Sequence, residues 1–527
     1  AEAKNIYEKA IQVQYELYQH TLQKATLERI FDLIESAKSV ILLDALAENI
    51  ARQQTNIPTE ILTRERQLNA DIQQLKADNQ QENIDLNQLI QKELALKTLV
   101  DSLKNNYPDY YNLKYQTQTV SLNDLSIEPN RSVLQYFVGS EYLYLLAINK
   151  NESQLVRTKL DFSLPDLVEQ LQAGLLNYHL SGKRSDAFYE ATADTLVNTA
   201  YSLHQKLIEP LLQTNFQLQS KLLIISDDVL GYVPFEILLT DLPKRPTAYG
   251  SHNYLIKNHQ ISYTYSATLL HEMQRQQRRA EHNFLAFAPA FPTTNAALAD
   301  RSVATRSGLN PLIYNTEEVN SLQQLLGGET YQNTEATKDN FIEQAANYRI
   351  LHLATHGKAD DISGDNAYLV FYPQDEEKDY LLTNQELYLL DLQADMVVLS
   401  ACETGIGELQ NGEGIISLAR GFSYAGAKSI VPTLWSINDQ MTIELMTSFY
   451  ENLQSGQTKD AALHQAKLAY LAAHPHEEVH PFFWAAFIVV GDTEALEIGG
   501  GFSWWWGLGV LLAVGIVVFF IIRKEIS

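Results

Sequence analysis

Cysteine is nearly absent from this sequence of 527 residues, which holds a single one, Cys402. One thiol excludes an intrachain disulfide and a four-cysteine zinc site, so the fold does not depend on oxidative cross-links. Basic residues are also scarce: 39 Lys and Arg stand against 64 Asp and Glu, and the formal net charge is −25. Because binding to phosphates needs clustered positive charge, we do not expect nucleic acid as a partner.

The first residues lack the apolar stretch that forms the centre of a signal peptide. Instead, Ile6, Ala10 and Val13 recur at helical spacing from the start, and we expect the chain to be a piece of a longer protein. An apolar fraction of 45% and an aromatic fraction of 10% are globular values, so the chain can form substantial cores.

One long run without charge stands near the C-terminus, from Phe502 to Ile522. About 20 apolar residues cross a bilayer core, and three tryptophans at 504–506 fit the aromatic belt at one membrane interface. The sequence therefore predicts a single transmembrane helix over 502–522. A buried core helix is the alternative, but it would need a packing partner on every face.

The charges that flank this run predict its orientation. Arg523 and Lys524 follow it within the tail 523–527, whereas 485–501 contains neither Lys nor Arg. Positive charge favours the cytoplasmic side, which would put the rest of the chain outside the cytoplasm. The margin is two charges, so a cytoplasmic catalytic region stays open as the alternative.

Residues 1–114 carry helical patterns, and no repeat of 34 residues with intact signature positions is visible among them. Apolar residues recur beside charged ones, as in a helical hairpin or short coiled coil. The pattern fits both a plain scaffold and a docking arm for a regulatory protein. The recurring residues are Phe31, Ile34, Ala37, Ile41, Ile50, Ile61, Leu68, Ile72, Leu75, Leu86, Leu89, Ile90, Leu94, Leu96 and Leu99.

The pattern changes at about residue 115. In region 115–215, two β-rich runs flank Gly139-Ser140 and predict a hairpin, and a helical stretch follows. In region 216–493, strands alternate with helices, which is typical of a parallel α/β sheet covered on both faces. We expect its last helix at about 440–453, and 494–501 is an acidic linker that ends in glycines.

Two apolar strands of this α/β region are each followed by a residue that can act in catalysis. One leads into His356-Gly357, and the other leads into Cys402 and a turn that contains glycine. Parallel strands end at the same edge of a sheet and neighbours lie about 5 Å apart, so the two side chains can converge. Either residue alone is more often structural. Together they indicate a nucleophilic thiol with an imidazole base.

Acyl transfer at such a pair also needs donors for the developing oxyanion. Gly357 has no Cβ, so its N–H can approach a ligand closely, and the N–H of Cys402 is the natural second donor. His352 and Ser400 are weaker rivals, because period-two alternation puts them on the same faces but deeper in the sheet. This chemistry requires no cofactor and no metal.

These segments carry a family resemblance. In order and spacing, "LHLATHG", "VVLSACETGIGELQNGEGIISLARGFSYAGAKSIVPTLWSINDQMT" and "HPFFWAAFIVVGD" resemble the CHAT family of bacterial caspase-like proteins, and "LLIISDDVLGYVPFEILL" resembles its opening strand and turn. The resemblance covers about 210–493. It implies a caspase-like, doubly wound, mostly parallel α/β fold related to caspases, separase and gingipains. CHAT domains commonly follow tetratricopeptide repeats.

The resemblance also implies roles for individual residues. His356 and Cys402 match the catalytic positions, and Gly357 matches the oxyanion-hole glycine. Residues 434–439 resemble a stretch of separase in which an acid lines the pocket for a basic P1 side chain, and Asp439 matches that acid. Asp439 is equally suited to cap the helix that follows it.

Two further acids near the thiol, Glu403 and Glu413, are rivals of Asp439 for a place in the substrate pocket. Glu413 stands between two glycines, in a run that predicts a loop before the helix 415–424. A solvated loop and a self-cleavage or activation loop both fit this run.

The sequence thus predicts a membrane-anchored cysteine endopeptidase that cleaves a protein. The resemblance further implies cleavage after a basic residue and a role in bacterial defence or regulated cell death. A regulatory partner would act through the N-terminal helices. Two alternatives remain: a catalytically silent caspase-like scaffold that binds partners at the membrane, and another acyl transfer such as ligation or deamidation.

Overall fold

The structure is a computed structural model that describes residues 2–38, 57–78, 86–108, 110–111, 119–180, 182, 185–276, 280–291, 312–358, 367–373, 380–400, 414–435, 439–474 and 479–498. Cys402, Glu403 and Glu413 lie outside these ranges, and so does the predicted transmembrane run 502–522. Among the residues inside them, no helix has the length and apolar character needed to cross a membrane.

Within the described residues, eleven strands form one sheet in the order β3-β2-β1-β4-β5-β14-β13-β12-β8-β6-β7, and β9, β10 and β11 form a smaller sheet. The strands are β1 Arg131–Val138, β2 Tyr142–Ile148, β3 Ser153–Lys159, β4 Lys221–Ile225, β5 Gln260–Thr264, β6 His282–Pro289, β7 Glu329–Asn333, β8 Tyr348–Leu353, β9 Gly357–Lys358, β10 Tyr368–Val370, β11 Leu381–Thr383, β12 Met396–Leu399, β13 Ser429–Pro432 and β14 Val490–Gly491.

Parallel pairing dominates the large sheet. Only β1–β2, β2–β3 and β13–β14 pair antiparallel among its described neighbours. The sheet therefore confirms the predicted mostly parallel α/β fold. The predicted hairpin is also present as β1 and β2, and it extends to a third strand, β3, that the sequence pattern did not predict.

Helices cover both faces of the sheet. The α-helices of the described residues are α1 Glu2–Thr21, α2 24–38, α3 Thr59–Asp78, α4 Leu86–Asn106, α5 Leu164–Leu180, α6 Asp186–Leu207, α7 Glu209–Leu212, α8 Ala267–Arg275, α9 Asn315–Leu326, α10 Lys338–Gln344, α11 Asn384–Leu387, α12 Gly414–Tyr424, α13 Asp439–Gln454, α14 Lys459–Ala473 and α15 Pro481–Trp484. The expectation that 440–453 is the last helix of the α/β region is wrong, because α14 and α15 follow it.

Alternation along the central strands divides the core into two. Val398 of β12 packs with α9 and α13 on one face, whereas its neighbours Val397 and Leu399 pack with α10 and α12 on the other. Since successive strand residues point to opposite faces, both halves of each central strand are buried. This explains why these strands read as nearly continuous apolar runs.

The N-terminal helices α1 and α2 cover one face of β1, β2 and β4. Ile11 of α1 and Phe31 and Ile34 of α2 are fully buried in that contact. The predicted boundary at 215/216 therefore falls inside the sheet, because β1 pairs in parallel with β4 across it. The helices α3 and α4 pack against each other through their own small core, as expected for a helical hairpin.

Two charged side chains of α2 reach the sheet. The buried carboxylate of Glu35 accepts hydrogen bonds from the backbone N–H groups of Ala267 and Thr268, at 3.2 and 2.8 Å, in the first turn of α8. The ammonium group of Lys38 donates to the carbonyl oxygens of Ile225 and Ser226, at 3.2 and 2.7 Å, where β4 ends. Burial lowers the pKa of Lys38 to about 8.

Candidate active site

The ends of β8 and β12 lie side by side at one edge of the sheet. The two strands pair in parallel, with His352 opposite Val398 and Leu353 opposite Leu399. The ladder continues one residue past the end of β12, because the N–H of Ser400 donates to the carbonyl of Leu353 at 3.0 Å. Strand β13 pairs with β12 on the other side, so three strand ends meet at this edge.

His356 lies just beyond β8, between the large sheet and the small one. Its residue is 1% exposed, and the ring of Phe291 packs edge-on against its imidazole with the centroids 4.6 Å apart. Its carbonyl accepts from the N–H of Val370 at 2.9 Å, and the Thr355 hydroxyl donates to the Val370 carbonyl. These contacts fix the backbone on which the imidazole is carried.

Gly357 begins β9 and stands opposite Leu369 of β10. Along an antiparallel pair, hydrogen-bonded and non-hydrogen-bonded positions alternate. Because His356 accepts from Val370, the pair Gly357–Leu369 falls on a non-hydrogen-bonded position. The N–H of Gly357 therefore points away from β10, on the side of β9 that does not pair with β10.

A buried polar cluster lies beneath this edge. One carboxylate oxygen of Glu318, in the first turn of α9, accepts from Nε2 of His352 at 3.0 Å and from the Ser400 hydroxyl at 2.7 Å. Nδ1 of His352 lies 3.1 Å from the hydroxyl of Tyr450. Burial, and then the charge of Glu318, raise the pKa of Tyr450 well above its usual value. His352 and Ser400, the two rivals in the sequence, are therefore both engaged in the core.

Asn315 supports the same edge from the start of α9. Its side-chain amide donates to the carbonyls of Pro289, at 2.9 Å, and Ala354, at 3.2 Å. Pro289 ends β6, and Ala354 lies between β8 and His356. One turn of α9 thus bonds to the exits of β6, β8 and β12.

The sequence-predicted site residues fall into two groups. His356 and Gly357 lie at the shared edge, and α13 begins with Asp439, soon after β13 ends at that edge. Cys402, Glu403 and Glu413 lie outside the described residues, as does the side chain of Asp439. Their proposed roles stay predictions.

Sequence reasoning missed Glu318, Asn315, Phe291 and Tyr450. Glu318 and Asn315 carried a partial signal, since they stand at the start of α9, where acids and amides are common. Nothing in the pattern, however, indicated their partners. Ser400 is 82 positions from Glu318 and is paired with it only by the fold.

Other segments of the resemblance form core instead of site. His480 in "HPFFW" caps α15 by accepting from the N–H of Phe482 at 3.0 Å, and burial lowers its pKa well below the usual value. Glu236 in "GYVPFE" is buried and pairs with Lys467 of α14 at 2.7 Å. These residues fix the loops around the sheet.

Comparison with known proteins adds a family to this geometry. The CHAT domain family matches residues 197–492, which is more than half of the chain. The chain belongs to the CHAT domain family. The matched CHAT domain contains His356, Gly357, Cys402 and Asp439, and it begins within α6, so β1–β3 precede it although they belong to the same sheet.

Two curated relatives resemble parts of the chain. Tetratricopeptide repeat protein 28 of Mus musculus is 28% identical over 120 residues, which is 23% of this chain and 5% of the relative. The Homo sapiens protein of that name is 24% identical over 218 residues, or 34% of this chain and 8% of the relative. The chain therefore spans less than a tenth of either relative. Both are mammalian, so they do not support a bacterial origin.

Two solved structures of the Saccharomyces cerevisiae separase–securin complex also align with the chain. Each is 10% identical to this chain, and each alignment covers 89% of this chain. The first has a TM-score of 0.45 and covers 34% of the solved chain, and the second has a TM-score of 0.43 and covers 37%. Such values are too low to support any statement about function.

Proposed function

We propose that this CHAT domain is a cysteine endopeptidase that acts on a protein substrate. Cys402 is the nucleophile, His356 the general base and acid, and the N–H groups of Gly357 and Cys402 the oxyanion donors. The observation that supports this best is the pairing offset of β8 and β12. Val398 stands opposite His352, an offset of 46 residues, and Cys402 follows His356 by the same 46.

The offset has a direct geometric meaning. If the pairing continues for three residues beyond Leu399, Cys402 stands beside His356 on the neighbouring strand. Neighbouring strands are about 4.8 Å apart, and residues at matching positions point to the same face. A thiol and an imidazole so placed can exchange a proton, and the imidazolium form stabilises the thiolate.

The proposed reaction follows from these roles. The Cys402 thiolate attacks the carbonyl carbon of the peptide, and the resulting oxyanion accepts hydrogen bonds from the N–H groups of Gly357 and Cys402. The C–N bond then breaks, and the proton held by His356 goes to the departing amine. Water, deprotonated by the same imidazole, attacks the thioester carbonyl to give a second tetrahedral intermediate. Its C–S bond then breaks, which releases the carboxylic acid, and the imidazolium returns its proton to the sulfur.

Substrate selection is proposed to rest on Asp439. The end of β13 lies beside the end of β12, and α13 begins at Asp439 soon after β13 ends at Pro432, so we expect this acid to lie near the same edge. A carboxylate there would favour Arg or Lys at P1 through charge-assisted hydrogen bonds. A capping role for Asp439 is compatible with this and would orient it.

Regulation is proposed to act through the N-terminal helices. Glu35 holds the first turn of α8, and Leu269 and Met273 of α8 pack against Tyr424 of α12. Because α12 follows the segment that contains Cys402 in the chain, we propose that a partner that moves α2 acts on that segment through α8 and α12. Glu35 is the first link of that route.

Membrane attachment through 502–522 is also proposed, on the sequence of that run. Its 21 residues carry no charge, and the tryptophans near its start and the basic residues that follow it fit the two interfaces. The proteolytic and membrane proposals are independent, and either can fail alone.

The first prediction concerns the nucleophile. An acyloxymethyl ketone with a basic P1 group should label the full chain, and Cys402→Ala should abolish the labelling because the attacking thiolate is gone. His356→Ala should slow it by about 10²–10⁴-fold, the usual worth of general acid–base catalysis. Mass spectrometry of the labelled peptide measures both. Equal labelling of Cys402→Ala would refute the assignment, and no labelling of the wild type would favour the silent scaffold.

The second prediction concerns P1 selection. Asp439→Asn should reduce the preference for Arg or Lys over a neutral P1 by roughly tenfold to a hundredfold, since a hydrogen bond to a charged group is worth about 1.5–3 kcal/mol. A peptide library varied at P1 measures this. Glu444→Gln is the matched control, because Glu444 lies on the same helix but pairs with His474 at 2.9 Å. An unchanged preference in Asp439→Asn would assign the residue to capping alone.

The third prediction concerns the N-terminal route. Glu35→Ala leaves buried N–H groups of α8 without their acceptor, at a cost of about 1–3 kcal/mol each, and should slow labelling of Cys402 several-fold. Glu28→Ala removes a surface carboxylate of the same helix, which binds Asn123 at 2.9 Å, and should change the labelling little. Urea unfolding gives the stability change in parallel. Normal labelling of a destabilised Glu35→Ala protein would rule out this route.

The fourth prediction concerns the membrane. The full chain should float with phosphatidylcholine vesicles in a density gradient, whereas a chain that stops at Gly501 should stay at the bottom. Burial of about 20 apolar residues in a bilayer is the driving force. Val514→Arg is an internal control, because a charge at the centre of the span should weaken insertion. Equal flotation of the full and shortened chains would contradict the anchor.

A further inference from the structure

Two polar residues of α9, Asn315 and Glu318, bond to the two strand exits that carry the proposed dyad. They stand three positions apart and so lie on the same side of the helix. Asn315 is 7% exposed and Glu318 is 4% exposed. Buried amides and carboxylates are costly unless their hydrogen bonds are made, so each of these residues strongly favours one arrangement of its partners.

The first bond is to the strand of His356. The amide of Asn315 donates to the Ala354 carbonyl at 3.2 Å, two residues before His356, and also to the Pro289 carbonyl at 2.9 Å. Its side-chain oxygen accepts from the N–H of Thr316 at 2.8 Å, which fixes the orientation of the amide. Asn315 therefore fixes the position of Ala354, just after β8, relative to the end of β6 and the start of α9.

The second bond is to the strand of Cys402. The Ser400 hydroxyl, two residues before Cys402, donates to Oε1 of Glu318 at 2.7 Å. The same oxygen accepts from Nε2 of His352, on β8, at 3.0 Å. Nδ1 of His352 lies 3.1 Å from the hydroxyl of Tyr450, so the ring is held between Glu318 and Tyr450. One carboxylate oxygen thus joins β8 to β12 immediately below their ends.

We propose that Asn315 and Glu318 are positioning residues. They hold the residues that follow β8 and β12 in the relative position that brings the His356 imidazole to the Cys402 thiol. This rests on the proposed dyad. Small displacements matter here because a proton transfer needs the two heavy atoms within hydrogen-bond reach.

The test uses the fact that the chain holds one cysteine, so alkylation by iodoacetamide reports on Cys402 alone. Its rate is measured against pH in the full chain, with the unfolding temperature recorded for each variant. In the wild type, the imidazolium should lower the midpoint of the profile, and His356→Ala should raise it. Glu318→Ala should move the midpoint most of the way to that of His356→Ala and cut the rate near neutral pH by about tenfold, the effect of one pKa unit on the thiolate fraction.

Two variants separate positioning from general stability. Glu318→Gln keeps an oxygen acceptor for Ser400 and His352 and should restore the wild-type midpoint. Leu322→Ala opens a cavity one turn further along the same buried face of α9, and it should lower the unfolding temperature without moving the midpoint. If Glu318→Ala does not fold, Ser400→Ala removes one of the same bonds and should give an intermediate shift.

The possible failures are distinguishable. If His356→Ala shifts the midpoint but Glu318→Ala and Ser400→Ala do not, the positioning role is wrong and the dyad stands. If Leu322→Ala shifts it as far as Glu318→Ala, the effect is one of packing and the positioning role is again wrong. If His356→Ala leaves the wild-type profile unchanged, or the wild-type thiol does not react, the dyad fails and the positioning role fails with it.

Discussion

The parallel pairing of β8 with β12 is the constraint on which the site depends. A slip of one residue would exchange the two faces of β12, so that Val398 would face the core that now holds Val397 and Leu399. Both cores are closely packed, and Ser400 would turn away from Glu318, its hydrogen-bond partner on the face that also holds Val398. Apolar burial and one polar cluster therefore favour the same register. That register determines which residues stand side by side where β8 and β12 end.

Much of this arrangement could be predicted from the sequence because it depends on local patterns. Apolar runs that end in His-Gly and in Cys-Glu-Thr-Gly identify two buried strands and their exits, and the alternation of strands with helices identifies a parallel sheet. The hairpin β1–β2 was recognisable from Gly139-Ser140 between two β-rich runs. In each case a few neighbouring residues carry the information.

The features that escaped prediction depend on distant partners. Helix α14 is charged on its buried face, where Lys459 pairs with Asp492 at 2.9 Å and Lys467 pairs with Glu236 at 2.7 Å. The amphipathic pattern of a surface helix assumes that lysines face solvent, so a helix with buried lysines is not recognised from it. Strand β3 is a polar edge strand and shows little alternation. From the sequence, Glu318 is an ordinary acidic residue of a first helical turn. Only the fold brings its partners Ser400 and His352 next to it.

The N-terminal helices belong to this account because they complete the burial of the sheet. Their apolar residues cover β1, β2 and β4, and Glu35 satisfies the first turn of α8 from within that contact. A CHAT domain delimited at residue 197 leaves out three strands and the helices that cover them. The physical unit around the site is thus larger than the family match, and contacts outside the match are suited to influence it.

The pairing of His356 with Cys402 can be measured directly by cross-linking. His356→Cys adds a second thiol to a chain with one, and neighbouring strands about 4.8 Å apart fall within the Cα separations of about 4.4–6.8 Å that a disulfide spans. Leu389→Cys, at a position 54% exposed, is the control. The account predicts that mild oxidation joins residues 356 and 402, as seen by peptide mass spectrometry, and leaves 389 unlinked. Failure of 356 and 402 to join while both thiols react with a small reagent would contradict it.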